Sequence, residues 1–371
     1  MDDRPDLPRP TELALRPGYH SPQLEVAVRL NTNEAPEPPP AGFMADLAEE
    51  LSRLELNRYP DRAAGRLRRA LAEHHGVGPE EIFCANGSNE VLQCLNLAYA
   101  GPGRSVLVFE PTYALHAHIS RLTGGQVLEG ARDDRFLVDV EGALALLARV
   151  AGERGPGEPA LTMLCSPNNP TGRSEPPATI EALAGAAPGL LVVDEAYGQF
   201  AAFSALQLLG THRRAVVVRT FSKTWALAGA RLGYLVADRE IVAACEQVAL
   251  PYHLDAIKQA AGRLALRYGA EMRARIAGLV EERGRVTAGL SDMGVTVWPS
   301  DANFILFRVP GHEGPAVWRE LVEASVLVRD VSGWPALAGC LRVTLGTPDE
   351  NARFLAAMST ITSPAGSPGT R

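Results

Sequence analysis

Short apolar runs alternate with helical stretches rich in alanine and leucine through the middle of the chain. Uninterrupted apolar runs of this length are typical of strands buried on both faces, as in parallel sheets. The runs are Val106–Phe109, Leu161–Cys165, Leu190–Val193, Val216–Val218 and Leu232–Val236. Helical stretches such as Val91–Tyr99 and Ile180–Ala186 separate them. The alternation predicts an α/β fold in which helices cover both faces of a large, doubly wound, mostly parallel sheet.

The pattern changes towards both ends of the chain. Residues 1–40 contain Pro36 and Pro38–Pro40, which preclude regular helix and predict an extended arm. After a long helical pattern from about Ala256 to Leu290, strand and helix signals mix, which predicts a smaller α+β domain. These signals are a strand at Asn303–Phe307, a helix at Ala316–Ala324, and strands at Val326–Val328 and Leu341–Val343.

We therefore divide the chain into four parts. They are an N-terminal arm at 1–40, a large domain at 41–262, a small C-terminal domain at 263–361 and a tail at 362–371. The tail consists mainly of serine, proline, glycine and threonine, which predicts disorder.

Composition excludes several classes of protein. The 371 residues, of which 46% are hydrophobic, can form a sizeable core in each of two domains. The net charge of −7, without a basic stripe, argues against a nucleic-acid partner, and no apolar run is long enough to span a membrane. The five cysteines are scattered without a CxxC pair, which favours reduced thiols over disulfides or a metal site. We expect a cytoplasmic protein that binds no metal.

Polar side chains follow three consecutive strands of the predicted sheet. Ser166–Gly172 follows the first, Asp194–Tyr197 the second and Thr220–Lys223 the third. Ligands of open α/β sheets bind beyond the carboxyl ends of the strands. One such segment alone would be ordinary turn chemistry. Three in register bring amides, a carboxylate, a phenol and a lysine together and predict one common site.

Pyridoxal phosphate requires this combination of groups. The amine of Lys223 can form a Schiff base. The carboxylate of Asp194 can keep the pyridine nitrogen protonated, so that the ring accepts carbanion charge. Asn86–Glu90 precedes a helix, and a helix N-terminus can bind a phosphate, although the same segment could be only an N-cap. Arg231, eight residues after Lys223, can reach the same phosphate.

These motifs resemble the transferases of fold type I that depend on pyridoxal phosphate (PLP) and have the fold of aspartate aminotransferase. Within this family they resemble the actinobacterial histidinol-phosphate aminotransferases. The resemblance extends from about Leu30 to Glu350. Its segments are Leu30–Glu34, Asn57–Asp61, Asn86–Glu90, Glu110–Tyr113, Ser166–Gly172, Asp194–Tyr197, Ser222–Lys223, Leu250–Leu254, Asp301–Phe304 and Leu341–Thr344. It implies pyridoxal 5′-phosphate as cofactor and small-molecule amine and oxo-acid substrates. The implied reaction, part of histidine biosynthesis, converts L-histidinol phosphate and 2-oxoglutarate to imidazole acetol phosphate and L-glutamate.

The resemblance also implies roles for individual residues. Lys223, Asp194 and Tyr197 are the catalytic residues, Asn169 and Tyr197 hold the ring oxygen of the cofactor, and Tyr113 stacks on its ring. The cofactor phosphate contacts Ser88, Asn89, Ser222, Arg231 and Tyr59 of the partner subunit. The substrate contacts Asn33, Arg342, Arg329 and Tyr19 of the partner subunit, where Arg342 binds the acidic end. The implied assembly is a homodimer with shared active sites.

Three other functions remain open on sequence grounds. An aromatic amino-acid aminotransferase and a PLP-dependent amino-acid-phosphate decarboxylase need the same cofactor residues. A nicotinamide-dependent dehydrogenase is disfavoured, because Gly101-Pro102-Gly103 lacks a third glycine and precedes a strand.

His116 and His118 form an HxH pair, but on a helix their side chains point apart, which makes them poor metal ligands.

Overall fold

The computed structural model describes residues 22–152 and 159–363. The strands are β1 (Val28–Leu30), β2 (Ile82–Ala85), β3 (Ser105–Phe109), β4 (Gln126–Gly130), β5 (Pro159–Cys165), β6 (Leu190–Asp194), β7 (Ala215–Thr220), β8 (Gly233–Ala237), β9 (Thr296–Val297), β10 (Phe304–Arg308), β11 (Val326–Asp330) and β12 (Cys340–Thr344). The helices are α1 (Ala41–Leu51), α2 (Gly65–His75), α3 (Gly87–Tyr99), α4 (Leu115–Leu122), α5 (Val140–Gly152), α6 (Pro177–Ala186), α7 (Arg239–Val248), α8 (Ala256–Ala265), α9 (Gly269–Asp292), α10 (Gly314–Glu323) and α11 (Pro348–Thr362). Among these helices, none combines the length and apolarity that a membrane span requires.

A seven-stranded sheet forms the larger part of the described chain, in the order β2-β8-β7-β6-β5-β3-β4. Consecutive residues of its strands pack into two different cores. Val192 contributes to the core that contains α3 and α7, whereas Leu191 and Val193 contribute to the core that contains α5 and α6. Since successive side chains of a strand point to opposite faces, the apolar runs of the sequence reflect burial on both faces. The prediction of a doubly wound sheet is confirmed.

The direction of one strand was predicted wrongly. The run Leu232–Val236 was expected to be parallel to the others, but β8 is antiparallel to both of its neighbours, β7 and β2. Parallel neighbours need a crossover connection, usually an α-helix. Between β7 and β8 the chain forms only a short 3-10 turn, Ala228–Ala230, so it returns in the opposite direction.

A second sheet has the order β1-β11-β12-β10-β9. β1 is parallel to β11, and the other pairs are antiparallel. The side chains of this sheet form one core with those of α9, α10 and α11, including Leu290, Val317 and Phe354. Residues 28–30 of the predicted arm therefore belong to the second sheet.

The long helical pattern from Ala256 to Leu290 is interrupted. α8 ends at Ala265, the 3-10 turn Leu266–Tyr268 follows, and α9 begins at Gly269. The proposed domain boundary between residues 262 and 263 lies within α8, and the division into domains stays a prediction. Of the predicted tail, Thr362 is the last residue of α11, and residues 364–371 lie outside the described chain.

A glycine in β8 lets the sheet approach the first turn of α3. A Cβ atom on Gly233 would lie 2.3 Å from the backbone nitrogen of Ser88. This distance is far below van der Waals contact, and the obstacle is backbone, which cannot rotate away. Gly233 therefore sets the distance between the sheet and the N-terminus of α3.

Gly233→Ala should push the first turn of α3 away from β8. We expect a loss of about 1–3 kcal/mol of stability from overpacking, together with weaker cofactor binding. Thermal unfolding and cofactor titration would measure both effects. The control is Gly185→Ala in α6, where a Cβ would meet nothing within 4 Å and helix propensity predicts a small gain in stability. Unchanged stability and cofactor affinity in Gly233→Ala would contradict the proposed spacing role.

Candidate active site

The carboxyl ends of β5, β6 and β7 meet at one pocket, as the sequence predicted. The pocket also receives the first turn of α3, the segment that follows β1, and β12. Its lining residues are Thr32, Asn33, Ser88, Asn89, Tyr113, Cys165, Asn169, Asp194, Ala196, Tyr197, Thr220, Ser222, Lys223, Arg231 and Arg342. Most of the residues proposed for the site are therefore brought together within one chain.

Lys223 follows β7 and projects into the pocket. Its Nζ donates a hydrogen bond to the backbone oxygen of Thr32 at 3.1 Å. Loss of surrounding water, together with the positive charges of Arg342 and Arg231 and against the opposing charge of Glu34, lowers the pKa of Lys223 to about 7. A substantial fraction of the amine is therefore neutral near pH 7, which is the form that attacks a carbonyl carbon.

Asp194 lies at the end of β6 with 2% of its surface exposed. One carboxylate oxygen accepts from the backbone nitrogen of Ala196 at 3.0 Å. The other lies 3.0 Å from Nε2 of His116, a fully buried residue of α4. Because the carboxylate accepts, we assign the proton of this bond to Nε2 of the imidazole. His116 therefore fixes the orientation of the carboxylate.

His116 is the site residue that the sequence analysis missed. It was considered only as a metal ligand, together with His118. The spacing could have indicated a role in the cofactor site. His116 lies three residues, about one helical turn, after Tyr113, so the two side chains project from the same side of the chain. The ring of His116 meets the ring of Tyr113 edge to face, with centroids 5.6 Å apart.

Tyr197 and Arg342 each make buried hydrogen bonds at this side of the pocket. Nδ2 of Asn33 donates to the Tyr197 hydroxyl at 2.8 Å. Burial raises the pKa of the Tyr197 phenol, more than the nearby Arg342 and the bond from Asn33 lower it, so the phenol stays protonated. Arg342 donates to Oδ1 of Asn169 at 2.5 Å and to the backbone oxygen of Asn31 at 2.7 Å. The bond from Arg342 to Asn169 connects the second sheet to the segment that follows β5.

The end of the pocket away from Arg342 combines several groups that bind anions. Ser88 and Asn89 lie in the first turn of α3, whose backbone N–H groups carry partial positive charge. Nη1 of Arg231 donates to the Ser222 hydroxyl at 3.2 Å. A Cβ on Gly87 would lie 2.6 Å from Nη2 of Arg231, so only glycine leaves this space open. Helix N–H groups, hydroxyls and a guanidinium together suit a phosphate dianion. Together with Lys223 and with Asp194, whose carboxylate accepts, these groups fit pyridoxal phosphate.

Two of the proposed residues do not line this pocket, and a third lies outside the described residues. Tyr59 is 82% exposed and stacks on Tyr252, with ring centroids 4.6 Å apart. Arg329 lies directly opposite Arg342 in the pairing of β11 with β12. Directly paired residues project from the same face of a sheet, so Arg329 shares the face of Arg342. Tyr19 lies outside the described residues.

The lowered pKa of Lys223 predicts a pH-dependent penalty in the cofactor-free protein. The unfolded chain holds the proton up to the ordinary pKa of 10.5, and the folded chain only up to about 7. Stability therefore falls as the pH drops from 10.5 towards 7 and is constant below that. Lys223→Met should raise the melting temperature of the cofactor-free protein at pH 6.5, and the gain should shrink as the pH rises towards 10. An equal gain at pH 6.5 and pH 9.5 would contradict the lowered pKa.

Comparisons with known proteins agree with this site. The chain matches the family Aminotransferase class I and II over residues 25–358. Histidinol-phosphate aminotransferase of Mycobacterium avium (strain 104) is 44% identical over 362 residues, which cover 95% of this chain and 88% of that protein. The enzyme of the same name from Thermobifida fusca (strain YX) is 44% identical over 369 residues, with 96% of each chain covered.

Solved structures confirm the fold. Histidinol-phosphate aminotransferase from Sinorhizobium meliloti in complex with pyridoxal-5′-phosphate has a TM-score of 0.86 at 24% identity, covering 96% of this chain and 98% of that one. Aspartate aminotransferase from Thermotoga maritima has a TM-score of 0.80 at 22% identity, with 92% of each chain covered. The prediction of an aspartate-aminotransferase-like fold is thus confirmed, and the chain belongs to the pyridoxal-phosphate-dependent family of class I and II aminotransferases.

Proposed function

We propose that the enzyme is a cytoplasmic histidinol-phosphate aminotransferase. It would transfer the amino group of L-histidinol phosphate to 2-oxoglutarate and yield imidazole acetol phosphate and L-glutamate. The single observation that carries this proposal is the 44% identity, over nearly the whole chain, to proteins of that name. The site supports it through its phosphate-binding end, its amine of lowered pKa and a pair of arginines on one face of the second sheet.

We assign the proton transfers to Lys223. Pyridoxal phosphate, when bound, supplies the electron sink that makes the Cα–H bond of the amine substrate acidic. The neutral Nζ of Lys223 would take the proton from Cα of the substrate as a base and would then deliver it, as an acid, to the C4′ carbon of the cofactor. A pKa of about 7 suits both roles near neutral pH, because neither the base nor the acid form is scarce.

Asp194 and Tyr197 would hold the ring at its two polar edges. The Asp194 carboxylate, oriented by His116 and Ala196, would bind the pyridine nitrogen and keep it protonated. Asn33 already donates to the Tyr197 oxygen, so the hydroxyl proton is directed to another acceptor. We infer that this acceptor is the ring oxygen. Asn169 accepts from Arg342 through Oδ1, which leaves its Nδ2 to donate to the same oxygen.

The two arginines of the second sheet favour a phosphorylated substrate. One guanidinium suffices for a carboxylate, as an aromatic amino acid would require. A phosphate dianion can accept charge-assisted bonds from both Arg342 and Arg329. Arg329 is paired directly with Arg342, which places both cations on one face of the sheet. The alternative interpretation is that Arg329 only forms an ion pair with its neighbour Asp330, and such ion pairs are weak at a surface.

Arg329→Ala should distinguish a role in binding the substrate phosphate from a surface ion pair. We expect kcat/KM for histidinol phosphate to fall by about 10- to 100-fold, as for a lost charge-assisted bond of about 1.5–3 kcal/mol. The value for phenylalanine should change much less. Arg308→Ala on β10, the strand on the other side of β12, is the matched control and should affect neither, because its guanidinium lies over the ring of Trp298. If wild type uses phenylalanine as well as histidinol phosphate, and Arg329→Ala affects both alike, the enzyme is an aromatic aminotransferase.

We propose a homodimer with shared active sites on the basis of one surface. Leu56, Tyr59 and Leu250 are 71%, 82% and 74% exposed, and Tyr252 and Ile257 are also exposed. The segments 56–60 and 255–257 line one surface groove. Large apolar side chains clustered at a surface mark an interaction site. A second copy of the chain that covered this groove would bury Tyr59 and bring it towards the partner's cofactor phosphate.

Mixing two inactive variants tests the shared site. Lys223→Ala removes the amine of one chain, and Tyr59→Ala removes the proposed phosphate contact to the other. Random mixing should restore about a quarter of the sites, because half of the dimers are mixed and each holds one intact site. Activity of the mixture would be compared with that of each variant alone. A failure of activity to recover, or a monomer in sedimentation at micromolar concentration, would contradict the proposal.

A further inference from the structure

A second buried ion pair lies behind the catalytic strand ends. Asp194 and Glu195 are consecutive, so their side chains leave the chain on opposite sides. Asp194 faces the pocket, whereas Glu195 meets Arg219 of β7, with Nη2 and Nε at 2.7 and 3.1 Å from one carboxylate oxygen. Glu195 is 2% exposed and Arg219 is 7% exposed. The pair therefore joins the ends of β6 and β7 on the face away from the cofactor.

The Glu195 carboxylate also binds the turn that follows Tyr197. The Ser204 hydroxyl lies 2.8 and 3.0 Å from its two oxygens, and the backbone nitrogen of Ala205 donates at 2.6 Å. Arg219 donates to the same hydroxyl at 2.9 Å. Both carboxylate oxygens are thus satisfied by donors. The network holds Ser204 and Ala205, in the segment after Tyr197, against the two strand ends.

The network continues into β8 and α2. Tyr234 lies directly opposite Arg219 in the pairing of β7 with β8 and is hydrogen-bonded to it. The Tyr234 hydroxyl lies 2.8 Å from Nε2 of His75, at the end of α2. Arg219 is therefore fixed from both sides. Lys223 follows Arg219 by four residues and depends on where β7 ends.

Stability alone does not explain a charged pair at this place. Replacing a buried ion pair by apolar side chains of similar volume is often neutral or stabilising. A cofactor site, however, needs its groups held to a fraction of an ångström. We propose that Glu195 and Arg219 are positioning residues that fix the Asp194 carboxylate and the Lys223 amine relative to each other on the bound cofactor. Neither touches the cofactor or the substrate.

A charge-neutral double variant tests this role. Glu195→Gln with Arg219→Met removes both charges together and leaves no buried ion unpaired. The matched control is Glu175→Gln with Arg132→Met, which removes another buried pair, with side-chain exposures of 0% and 1%. The control pair binds the backbone of Phe109, Phe136 and Val138, and neither residue lies next to Asp194 or Lys223 in the chain.

The two double variants should change thermal stability to a similar extent, but only the first should alter the bound cofactor. We expect its dissociation constant for pyridoxal phosphate to rise about tenfold and the visible circular-dichroism band per bound cofactor, which reports ring orientation, to weaken. Its kcat should fall about 100-fold with little change in KM. If cofactor affinity, dichroism and kcat match those of the control, the pair is only structural and the proposal is overturned.

A conservative variant keeps the proposal testable if the double variant does not fold. Arg219→Lys retains the charge but loses the two-point contact with Glu195. It should change the dichroism and the dissociation constant in the same direction, by less, and an unchanged signal would also overturn the proposal. The readouts use the cofactor alone. They remain valid if the substrate proves to be another amine, because the inference rests on the cofactor site and not on histidinol phosphate.

Discussion

A buried carboxylate must be paired with positive charge or bonded to donors, because an isolated ion inside a protein is very costly. Asp194, at 2% exposure, imposes this constraint on the pocket. Ala196 and His116 satisfy its two oxygens from opposite sides. Neither of these donors is a lysine or an arginine, so neither supplies a permanent positive charge. The carboxylate thus keeps its charge for a protonated nitrogen of the ligand, and the pocket is electrostatically completed by the cofactor.

Three cationic side chains line the same pocket as the Asp194 carboxylate. Arg231 lies at the anion-binding end of the pocket and Arg342 at the end formed by the second sheet, with Lys223 between them. Both guanidinium groups lower the pKa of the lysine. Groups that bind the anionic ends of the ligands therefore also keep the amine neutral. A substitution at either arginine would change binding and proton affinity together.

The sequence predicted the strand ends well because their signals are local. Apolar runs mark buried strands, and the polar segments that follow Cys165, Val193 and Val218 lie at one edge whatever the details of packing. The direction of β8 was missed, because an apolar run carries no information about direction. His116 and the Glu195–Arg219 pair were missed since they depend on contacts between residues 24 or more positions apart. The roles of Tyr59 and Arg329 stay predictions, because they concern a partner and a substrate.

The path of the chain after β1 has a mechanical consequence. β1 is fixed to β11 in the second sheet, and two residues after it the backbone oxygen of Thr32 accepts the bond from Lys223. The next residue, Asn33, bonds to Tyr197 and to Thr344 of β12. Because Thr32 comes only two residues after the end of β1, the chain between them cannot extend much further. A shift of the second sheet away from the first would withdraw an acceptor from the amine, and a protonated amine needs that acceptor more than a neutral one. The proton affinity of Lys223 is thereby coupled to the distance between the two sheets.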